Sequence, residues 1–251
     1  MVSPKNDRIK RIRRLVRRAG DRASEGVYVV EGPRALDEVV RHGGEVETLL
    51  VADGSPVPAV AADVALSIDA DAFASVADSR TPQGVLAVVR RGPDAGEWPT
   101  EVSSAVIADR LGDPGNVGTV VRAAAAFGAA VALTTGSADP WGPKAVRSSA
   151  GAIASVPVVT GPVDEVVDLA RGRGLRIVGL DGSADAPVTN EAGDVDGAVA
   201  WVVGSEAHGL SDELRARLDA TARIPTTGDV ESLNAAMAAT LALSASFAAR
   251  S

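Results

Sequence analysis

Three polar stretches carry the residues whose types and spacing could do chemistry. They are Leu111–Arg122, Gly204–Ser211 and Ile224–Asn234. Each combines a glycine- or proline-containing turn with short polar side chains, so backbone N–H groups and side-chain donors can approach a ligand closely there. The third stretch runs straight into an apolar helix that we predict over 235–249. We expect the chemistry where these stretches meet.

The first stretch supplies an amide and a guanidinium. Asn116 follows an Asp-Pro-Gly turn and precedes a helix predicted over 117–127, and Arg122 lies six residues further on. Six helical residues advance about 9 Å and turn about 600°, so the two side chains do not share one face. They serve one site only if that site lies across the helix start or is shared with another chain. Plainer roles stay open, with Asn116 as a helix N-cap and Arg122 as a surface arginine, although the apolar neighbours of Arg122 predict burial.

The second stretch supplies a carboxylate. Glu206 lies in a glycine-bracketed turn directly after a strand predicted over 198–203, a position that directs its side chain into a cleft. The alternative is that Glu206 caps the helix predicted to begin near Ser211, a role that Ser211 also fills. His208 has no apparent partner in the sequence and is interpreted as a loop residue.

The third stretch supplies two short polar side chains. Ser232 and Asn234 are expected in the first turn of the last helix, after a strand that ends at Ile224. Ser232 lacks the Gly-x-Ser-x-Gly elbow of a hydrolase nucleophile. The glycines of Leu111–Arg122 match neither a dinucleotide fingerprint nor a P-loop, which argues against nicotinamide and nucleoside-triphosphate chemistry.

Composition excludes several other classes. The chain has 251 residues and 46% hydrophobic residues, enough for one large or two small domains with a substantial core. The absence of cysteine excludes disulfides and thiolate chemistry. With only two histidines, the chain has few ligands for a zinc site and few bases for a His-based triad. No apolar run is long enough for a membrane span, and the basic N-terminus lacks the apolar region of a signal peptide. We therefore expect a cytoplasmic protein without membrane contact.

Charge is distributed unevenly along the chain. The net charge is −8, yet residues 5–22, here called the basic arm, hold nine lysines and arginines against two aspartates, a net charge of +7 that leaves about −15 for the remainder. Such a cationic segment on an acidic body predicts a polyanionic partner bound at one end. Ile9, Ile12 and Val16 recur at helical spacing, so the arm is predicted to be an amphipathic helix. A merely solvated helix face is the alternative interpretation.

The order of predicted elements indicates two α/β domains. Short strands and helices alternate over residues 1–91, a Pro- and Gly-rich linker covers 92–101, and apolar strands separated by helices follow over 102–251. Strands this apolar imply a parallel sheet covered on both faces. In such sheets ligands bind beyond the carboxyl ends of the strands. All three polar stretches follow predicted strands, so we expect them at one edge.

Together the three stretches resemble the three motifs of the SpoU (TrmH-like) branch of the SPOUT methyltransferases. The matching residues are Asn116-x-Gly118 with Arg122-Ala123 and Phe127-Gly128, then Gly204-Ser205-Glu206 with Gly209-Leu210, then Ile224-Pro225 with Ser232-Leu233-Asn234. The similarity spans roughly residues 102–250. The front domain, with Asn6, Ile9-Lys10 and the turn Val29–Gly32, is similar to the ribosomal-protein-like substrate-binding domain often attached to this family.

The resemblance implies transfer of a methyl group from S-adenosylmethionine to a ribose 2′-hydroxyl of RNA. It also implies a deep trefoil knot near the C-terminus and a homodimer with active sites at its interface. Backbone at Gly204, Ile224 and Leu233 would hold the cofactor, and the pocket would be lined by Ser205, Glu206, Pro225 and Thr134. The catalytic centre would be built from Asn116, Arg122, Glu206, Ser232 and Asn234. The sequence departs from the family at Ala207-His208, where a glycine often follows the glutamate, and this puts the flexibility of the loop in doubt.

Arginine is the base proposed for this family, but an ordinary guanidinium keeps its proton far above neutral pH, which makes it a poor base. We therefore predict that Arg122 organises and stabilises the developing alkoxide and the adjacent phosphate. Two routes for the proton stay open, one assisted by a phosphate and one mediated by water.

The target and two rival functions also stay open. Ribosomal RNA is favoured over transfer RNA, because the front domain looks like a ribosomal-protein fold, and this is analogy alone. An inactive RNA-binding homologue is one rival, against which the intact motif residues argue. A small-molecule α/β enzyme that uses a nucleotide is the other, against which the missing phosphate fingerprints argue.

Overall fold

The computed structural model describes residues 3, 5–92, 97–193, 198–205, 208–228 and 232–250. They form two compact units. The first comprises the described residues of Met1–Pro93 together with Asp139–Ser155, and the second those of Asp94–Ala138 and Val156–Ser251. The segment Asp139–Ser155 therefore packs with the first unit, although it lies inside the range 102–251 that the sequence suggested as one domain.

The helices and strands have the following bounds in chain order. They are α1 (Asp7–Arg17), α2 (Ala19–Glu25), β1 (Val27–Glu31), α3 (Pro33–Arg41), β2 (Val46–Ala52), a 3₁₀ segment (Ala59–Val64), β3 (Ala65–Ile68), α4 (Ala70–Ala74), β4 (Val85–Arg90), β5 (Ser104–Ala108), α5 (Pro114–Phe127), β6 (Ala130–Thr134), α6 (Pro143–Ser148), a 3₁₀ segment (Ala152–Ala154), β7 (Val158–Gly161), α7 (Val163–Gly172), β8 (Arg176–Leu180), α8 (Val188–Gly193), β9 (Val199–Val203), α9 (Asp212–Arg215), β10 (Ala220–Ala222) and α10 (Ala235–Arg250).

A four-stranded mixed sheet with the order β1-β4-β2-β3 forms the centre of the first unit. β4 runs antiparallel to both β1 and β2, and β2 runs parallel to β3. The basic arm forms α1 and the first part of α2. The apolar residues of α1, namely Ile9, Ile12, Leu15 and Val16, are buried in the core of this unit. The predicted amphipathic helix is thus confirmed. It ends where Arg18 adopts extended backbone, and α2 begins directly after that residue.

A buried arginine ties α1 to the later segment of the same unit. Arg22 is only 4% exposed. One of its terminal nitrogens donates to the carbonyl oxygens of Leu15 and Val16 at 2.7 and 3.2 Å, and the other donates to Asp139 Oδ2 at 2.5 Å. Arg22 therefore satisfies carbonyls at the end of α1, which have no helical partner, and pairs with Asp139 away from water.

An aromatic contact adds to this attachment. The ring of Trp141 lies 5.1 Å from that of Tyr28, and the guanidinium of Arg91 lies 4.8 Å from the centre of the Trp141 ring. Burial raises the pKa of the Tyr28 hydroxyl and lowers the pKa of Arg91. The tilted contact between the two rings and the cation–π contact stabilise this arrangement. They explain why Asp139–Ser155 belongs with the first unit.

The second unit is built on a six-stranded sheet with the order β10-β8-β9-β5-β6-β7. Every pairing in it is parallel, as the apolar strands predicted. Trp201 in β9 is fully buried and donates from Nε1 to the Ser246 hydroxyl of α10 at 2.7 Å. In the described part of the chain, no helix is long and apolar enough to cross a membrane.

Some elements differ from the predicted bounds. The helix predicted to begin near Ser211 is the short α9, which ends at Arg215. The chain then turns, and Asp219 N donates to the Ile177 carbonyl at 2.9 Å just before β10. β10 ends at Ala222, two residues before the predicted end at Ile224. Two six-residue elements were not predicted, namely α8 and the 3₁₀ segment Ala59–Val64.

Candidate functional site

The three polar stretches follow strands whose carboxyl ends lie level. Ala108, the last residue of β5, pairs with Leu133 of β6 on one side and with Val203 of β9 on the other. Parallel strands all point the same way, so the loops after β5, β6 and β9 leave the sheet at the same edge. The predicted convergence of the first two stretches therefore follows directly from the register of the sheet.

The first stretch is capped by a residue other than the predicted one. Asp113 is the N-cap of α5, and its Oδ1 accepts from the backbone N–H groups of Gly115 and Asn116 at 2.5 and 3.1 Å. The interpretation of Asn116 as N-cap is therefore wrong. Pro114 suits the first helical position, since it has no N–H to satisfy, and so α5 begins earlier than predicted. The Asn116 side chain is left available for another contact.

That contact joins the first and third stretches. Asn234 Nδ2 donates to Asn116 Oδ1 at 3.1 Å. Asn234 Oδ1 accepts from the N–H groups of Ala236 and Met237 at 3.0 and 3.2 Å, which is the pattern of a helix N-cap. Asn234 thus precedes α10 and caps it, which corrects the expectation that Ser232 and Asn234 lie in its first turn. Ser232 also precedes the helix and is exposed.

The second stretch closes into a tight loop. Ser205 and Gly209 exchange backbone hydrogen bonds of 3.2 and 2.8 Å, and His208 N donates to the Ser205 hydroxyl at 3.3 Å. A Cβ atom on Gly204 would lie 2.3 Å from the carbonyl carbon of Gly209, so only glycine fits there. His208 is exposed. Glu206, predicted to point into the cleft, lies outside the described residues, as does Ala207.

Three predicted cofactor-binding positions offer unpaired backbone. Gly204, Ile224 and Leu233 are half-buried. Among the described residues, their backbone N–H and C=O groups have no hydrogen-bond partner. Partly buried polar backbone normally finds a partner, and a ligand with polar edges, such as an adenine ring and an amino-acid group, would supply it. These residues therefore fit S-adenosylmethionine, whereas Pro225 nearby is exposed.

Thr134 belongs to a buried network that sequence reasoning missed. Its hydroxyl donates to Asp109 Oδ1 at 2.8 Å and accepts from Arg110 N at 2.9 Å. Asp109 Oδ2 accepts from Ser211 N at 2.6 Å. Asp109 is fully buried directly after β5. The signal that singled out Glu206, a carboxylate immediately after an apolar strand, could also have found Asp109.

Arg122 lies on the solvent side of α5. It is exposed, as are Thr119 and Ala126 one turn to either side, while Val120 and Val121 are buried. Its apolar neighbours predicted burial, and that interpretation is wrong because they occupy the other face of the helix. Within the part of the chain that the structure describes, its guanidinium has no hydrogen-bond or ion-pair partner.

The structure thus brings some predicted residues together and leaves others apart. Asn116 contacts Asn234, and Thr134 is joined through Asp109 to the end of the second stretch. Arg122 and Ser232 contact none of these side chains in the described residues. Among those residues no group of three or more histidines, aspartates and glutamates could hold a metal ion. The site as described therefore offers polar backbone, amides and a solvent-facing cation.

Comparison with known families gives two matches along the chain. Residues 103–244 match the model of the SpoU rRNA Methylase family, and residues 6–87 match that of the MRM3-like substrate binding domain. Together the two matched ranges cover most of both α/β regions.

Two relatives are similar over nearly the whole chain. The 23S rRNA (guanosine(2553)-2′-O)-methyltransferase RlmP of Bacillus subtilis is 30% identical in an alignment of 245 positions that covers 95% of each chain. The 23S rRNA (uridine(2479)-2′-O)-methyltransferase of Streptomyces viridochromogenes is 32% identical over 96% of this chain and 90% of the relative.

A solved structure agrees with both. The crystal structure of the SpoU methyltransferase AviRb from Streptomyces viridochromogenes, in complex with the cofactor AdoMet, aligns over 98% of each chain. Its TM-score is 0.85 and its sequence identity is 30%. The predicted α/β fold class with a parallel sheet and the predicted resemblance are confirmed. The chain belongs to the SpoU rRNA methylase family.

Proposed function

We propose that this S-adenosylmethionine-dependent RNA 2′-O-ribose methyltransferase modifies ribosomal RNA. The observation that carries the proposal is similarity along nearly the full chain, through both the methylase range and the substrate-binding range, to two enzymes named for 23S rRNA ribose methylation. The substrate-binding range matters most for the choice of target, because the methylase fold alone does not select an RNA.

The cofactor pocket is assigned to the carboxyl edge of the second sheet. Backbone at Gly204, Ile224 and Leu233 would hold S-adenosylmethionine, and the lining would be completed by Ser205, Glu206, Pro225 and Thr134. When bound, this cofactor supplies an electrophilic methyl group on a sulfonium sulfur. The unpaired, half-buried backbone at the first three positions supports the assignment.

Catalysis is assigned to the amide pair Asn116 and Asn234, to Arg122, and to Glu206 and Ser232, as the resemblance implies. The Asn234–Asn116 hydrogen bond holds the start of α5 against the start of α10, so both amides stay oriented. Arg122, unpaired among the described residues, is available to orient the phosphate beside the target ribose. Its positive charge would stabilise the negative charge that develops on the 2′-oxygen, whichever group accepts the proton.

A homodimer would explain why Asn116 and Arg122 lie on different sides of α5. The outer face of α10 exposes Met237, Leu241 and Phe247, each about half exposed, and none of the exposed residues near them on this face is charged. An apolar helix face of this kind is typical of an interface. α5 packs against α10, and the rings of Phe127 and Phe247 lie 5.8 Å apart, so an interface along α10 would adjoin the helix that carries Arg122. A second copy docked there would let Arg122 serve a shared site.

The basic arm is assigned to RNA binding. Lys10, Arg13, Arg14, Arg17 and Arg18 line an open depression of about 190 Å³. Arg11 is compensated by Glu25 and Glu47, and Arg14 by Asp21. Arg13 and Arg17 contact only the neutral Ser75 in the described residues, so they keep uncompensated charge for phosphates.

The domain boundaries, the knot and the location are also proposals. The matched ranges 6–87 and 103–244 lie on either side of the linker over 92–101, which supports a substrate-binding domain over 1–91 and a methyltransferase domain over 102–251. The deep trefoil knot is proposed for the second of these from the resemblance. A cytoplasmic location is proposed because ribosomal RNA is the proposed substrate.

The choice of target is tested by mapping ribose methylation in total RNA from cells with and without this protein. We expect one 2′-O-methyl group to disappear from ribosomal RNA and to return when the protein is restored. Loss from transfer RNA alone would contradict the proposal. An unchanged map with intact expression would favour an inactive RNA-binding protein.

The division between cofactor binding and catalysis is tested with two substitutions. Arg122→Ala is expected to lower single-turnover methyl transfer by about 10²–10³-fold, the usual cost of losing one stabilising donor, with calorimetric S-adenosylmethionine binding unchanged. Gly204→Ala is expected to abolish that binding, since its Cβ would meet the Gly209 backbone. Gly172→Ala, at an open position near the end of α7, is the control and should change neither. Equal loss of binding and transfer in Arg122→Ala would refute the division.

The role of the basic arm is tested by the salt dependence of RNA affinity. The triple variant Arg13→Gln, Arg17→Gln and Arg18→Gln should bind RNA more weakly, and its slope of log affinity against log salt should fall by about 2–3 units. The control removes three exposed arginines that already pair with carboxylates, namely Arg41, Arg90 and Arg171. Equal slopes for the two triple variants would assign the arm to structure.

The proposed dimer is tested by sedimentation. The wild type should sediment as a dimer, and Leu241→Glu should sediment as a monomer, because a carboxylate on the apolar face of α10 would lose its hydration in the interface. Val57→Glu, which changes an equally exposed apolar residue of the first unit, should stay dimeric. A monomeric wild type would end the proposal.

A further inference from the structure

We infer that Asp109 is a positioning residue, which holds Thr134 and Ser211 so that the loops after β5, β6 and β9 form one cofactor pocket. The inference rests on the proposed function, since it takes Thr134 as part of the lining of that pocket. Asp109 belongs to none of the motif positions that the resemblance singled out. It is the only fully buried aspartate in the described part of the chain.

The burial of Asp109 requires an explanation. An ionised carboxylate loses its hydration when it is buried, and an apolar residue would fill a position between β strands at lower cost. Asp109 follows β5 directly, and its backbone N–H donates to the Val203 carbonyl at 2.8 Å. The nearest cationic group is Arg110 Nε, 3.8 Å from Asp109 Oδ1 on a side chain that is 45% exposed. Direct hydrogen bonds therefore supply most of the compensation.

Those hydrogen bonds run in a defined direction. A carboxylate only accepts, so the single hydroxyl proton of Thr134 must point at Asp109 Oδ1, 2.8 Å away. A lone pair of the same hydroxyl is then left to accept from Arg110 N at 2.9 Å. Arg110 has a φ of +50°, in the left-handed region that residues with a side chain rarely adopt. The Thr134 hydroxyl thus joins the end of β6 to the strained turn after β5.

The second carboxylate oxygen reaches the loop after β9. Asp109 Oδ2 accepts from Ser211 N at 2.6 Å. Ser211 ends the stretch that contains Gly204 and caps α9 by accepting from Leu214 N at 3.3 Å. One side chain therefore sets the position of a residue on β6 and of a residue 102 positions further along the chain.

Asp109 acts through these partners and not on the substrate. Both of its oxygens are occupied, and the residue is completely buried, so neither cofactor nor RNA can reach it. Its loss should therefore affect the affinity of the pocket for the methyl donor, and it should leave RNA binding by the first unit unchanged. This separates Asp109 from residues that touch the reacting groups.

Three substitutions test the inference. Asp109→Asn keeps the shape, but its NH₂ group donates where the carboxylate accepts, so one of the two donors loses its acceptor. Thr134→Val keeps the shape and removes the hydroxyl, and Thr134→Ser keeps the hydroxyl. We expect Asp109→Asn and Thr134→Val each to raise the KM for S-adenosylmethionine at least tenfold, with kcat at saturating cofactor changed less than threefold. Thr134→Ser keeps the hydroxyl bond to Asp109 and should therefore recover most of the affinity for S-adenosylmethionine that Thr134→Val loses.

A double variant and a structural control complete the experiment. Asp109→Asn with Thr134→Val should raise the KM less than the product of the two single effects, because both changes break the same hydrogen bond. Ser246→Ala removes a buried hydrogen-bond acceptor elsewhere in the same unit and should lower stability without moving the KM. If Asp109→Asn does not fold, the pair Thr134→Val and Thr134→Ser decides the question.

Two outcomes would overturn the inference while sparing the proposed function. One is a loss of stability in Asp109→Asn with an unchanged KM, as in Ser246→Ala. The other is the same KM for S-adenosylmethionine in Thr134→Val and Thr134→Ser, when the wild-type enzyme is active. A wild type that neither binds S-adenosylmethionine nor methylates RNA would instead refute the proposed function itself.

Discussion

The common direction of the strands in the six-stranded sheet is the constraint on which the site depends. Because β5, β6 and β9 are parallel and end level with one another, their following loops must leave at one edge. Polar groups from distant parts of the sequence are then close together without any special folding of the loops. The cost is a set of buried polar groups at that edge, which hydrogen bonds among Asp109, Thr134 and Ser211 offset.

The edge of the sheet divides into a fixed part and a part that offers contacts. Both carboxylate oxygens of Asp109 and the hydroxyl of Thr134 are paired, which favours one arrangement of the strand ends. Around Gly204, Ile224 and Leu233 the backbone has no described partner, which leaves donors and acceptors for a ligand. Arg122 and, in the basic arm, Arg17 and Arg18 are exposed. The arm carries a net charge of +7 in a chain of net charge −8, and its proposed role in RNA binding rests on this asymmetry.

Local periodicity explains what the sequence predicted well. The amphipathic helix α1 and the apolar parallel strands follow from residue spacing, and the shared edge of the loops follows from the parallel sheet. At Asn116 two local signals competed. The Asp-Pro pair, with Asp113 as cap and Pro114 at the first helical position, determined where α5 begins, and Asn116 was left to bind Asn234. The predicted burial of Arg122 was wrong because its apolar neighbours in the sequence lie on the opposite face of α5.

Long-range contacts explain what the sequence could not predict. Arg22 meets Asp139 across 117 residues, and this pairing places Asp139–Ser155 with the first unit. Asp109 hydrogen-bonds to Thr134, 25 residues further along the chain, and to Ser211, 102 residues further along. No periodicity signals such pairs, which form only when the whole sheet is assembled. The position of Glu206 and the domain boundaries stay predictions.

The decisive measurement is the structure of the protein with bound S-adenosylmethionine or its demethylated product. We expect the ligand to hydrogen-bond to the backbone of Gly204, Ile224 and Leu233, at the edge where β5, β6 and β9 end. A ligand bound at another edge of the sheet, or one that contacts only one of the three polar stretches, would contradict it.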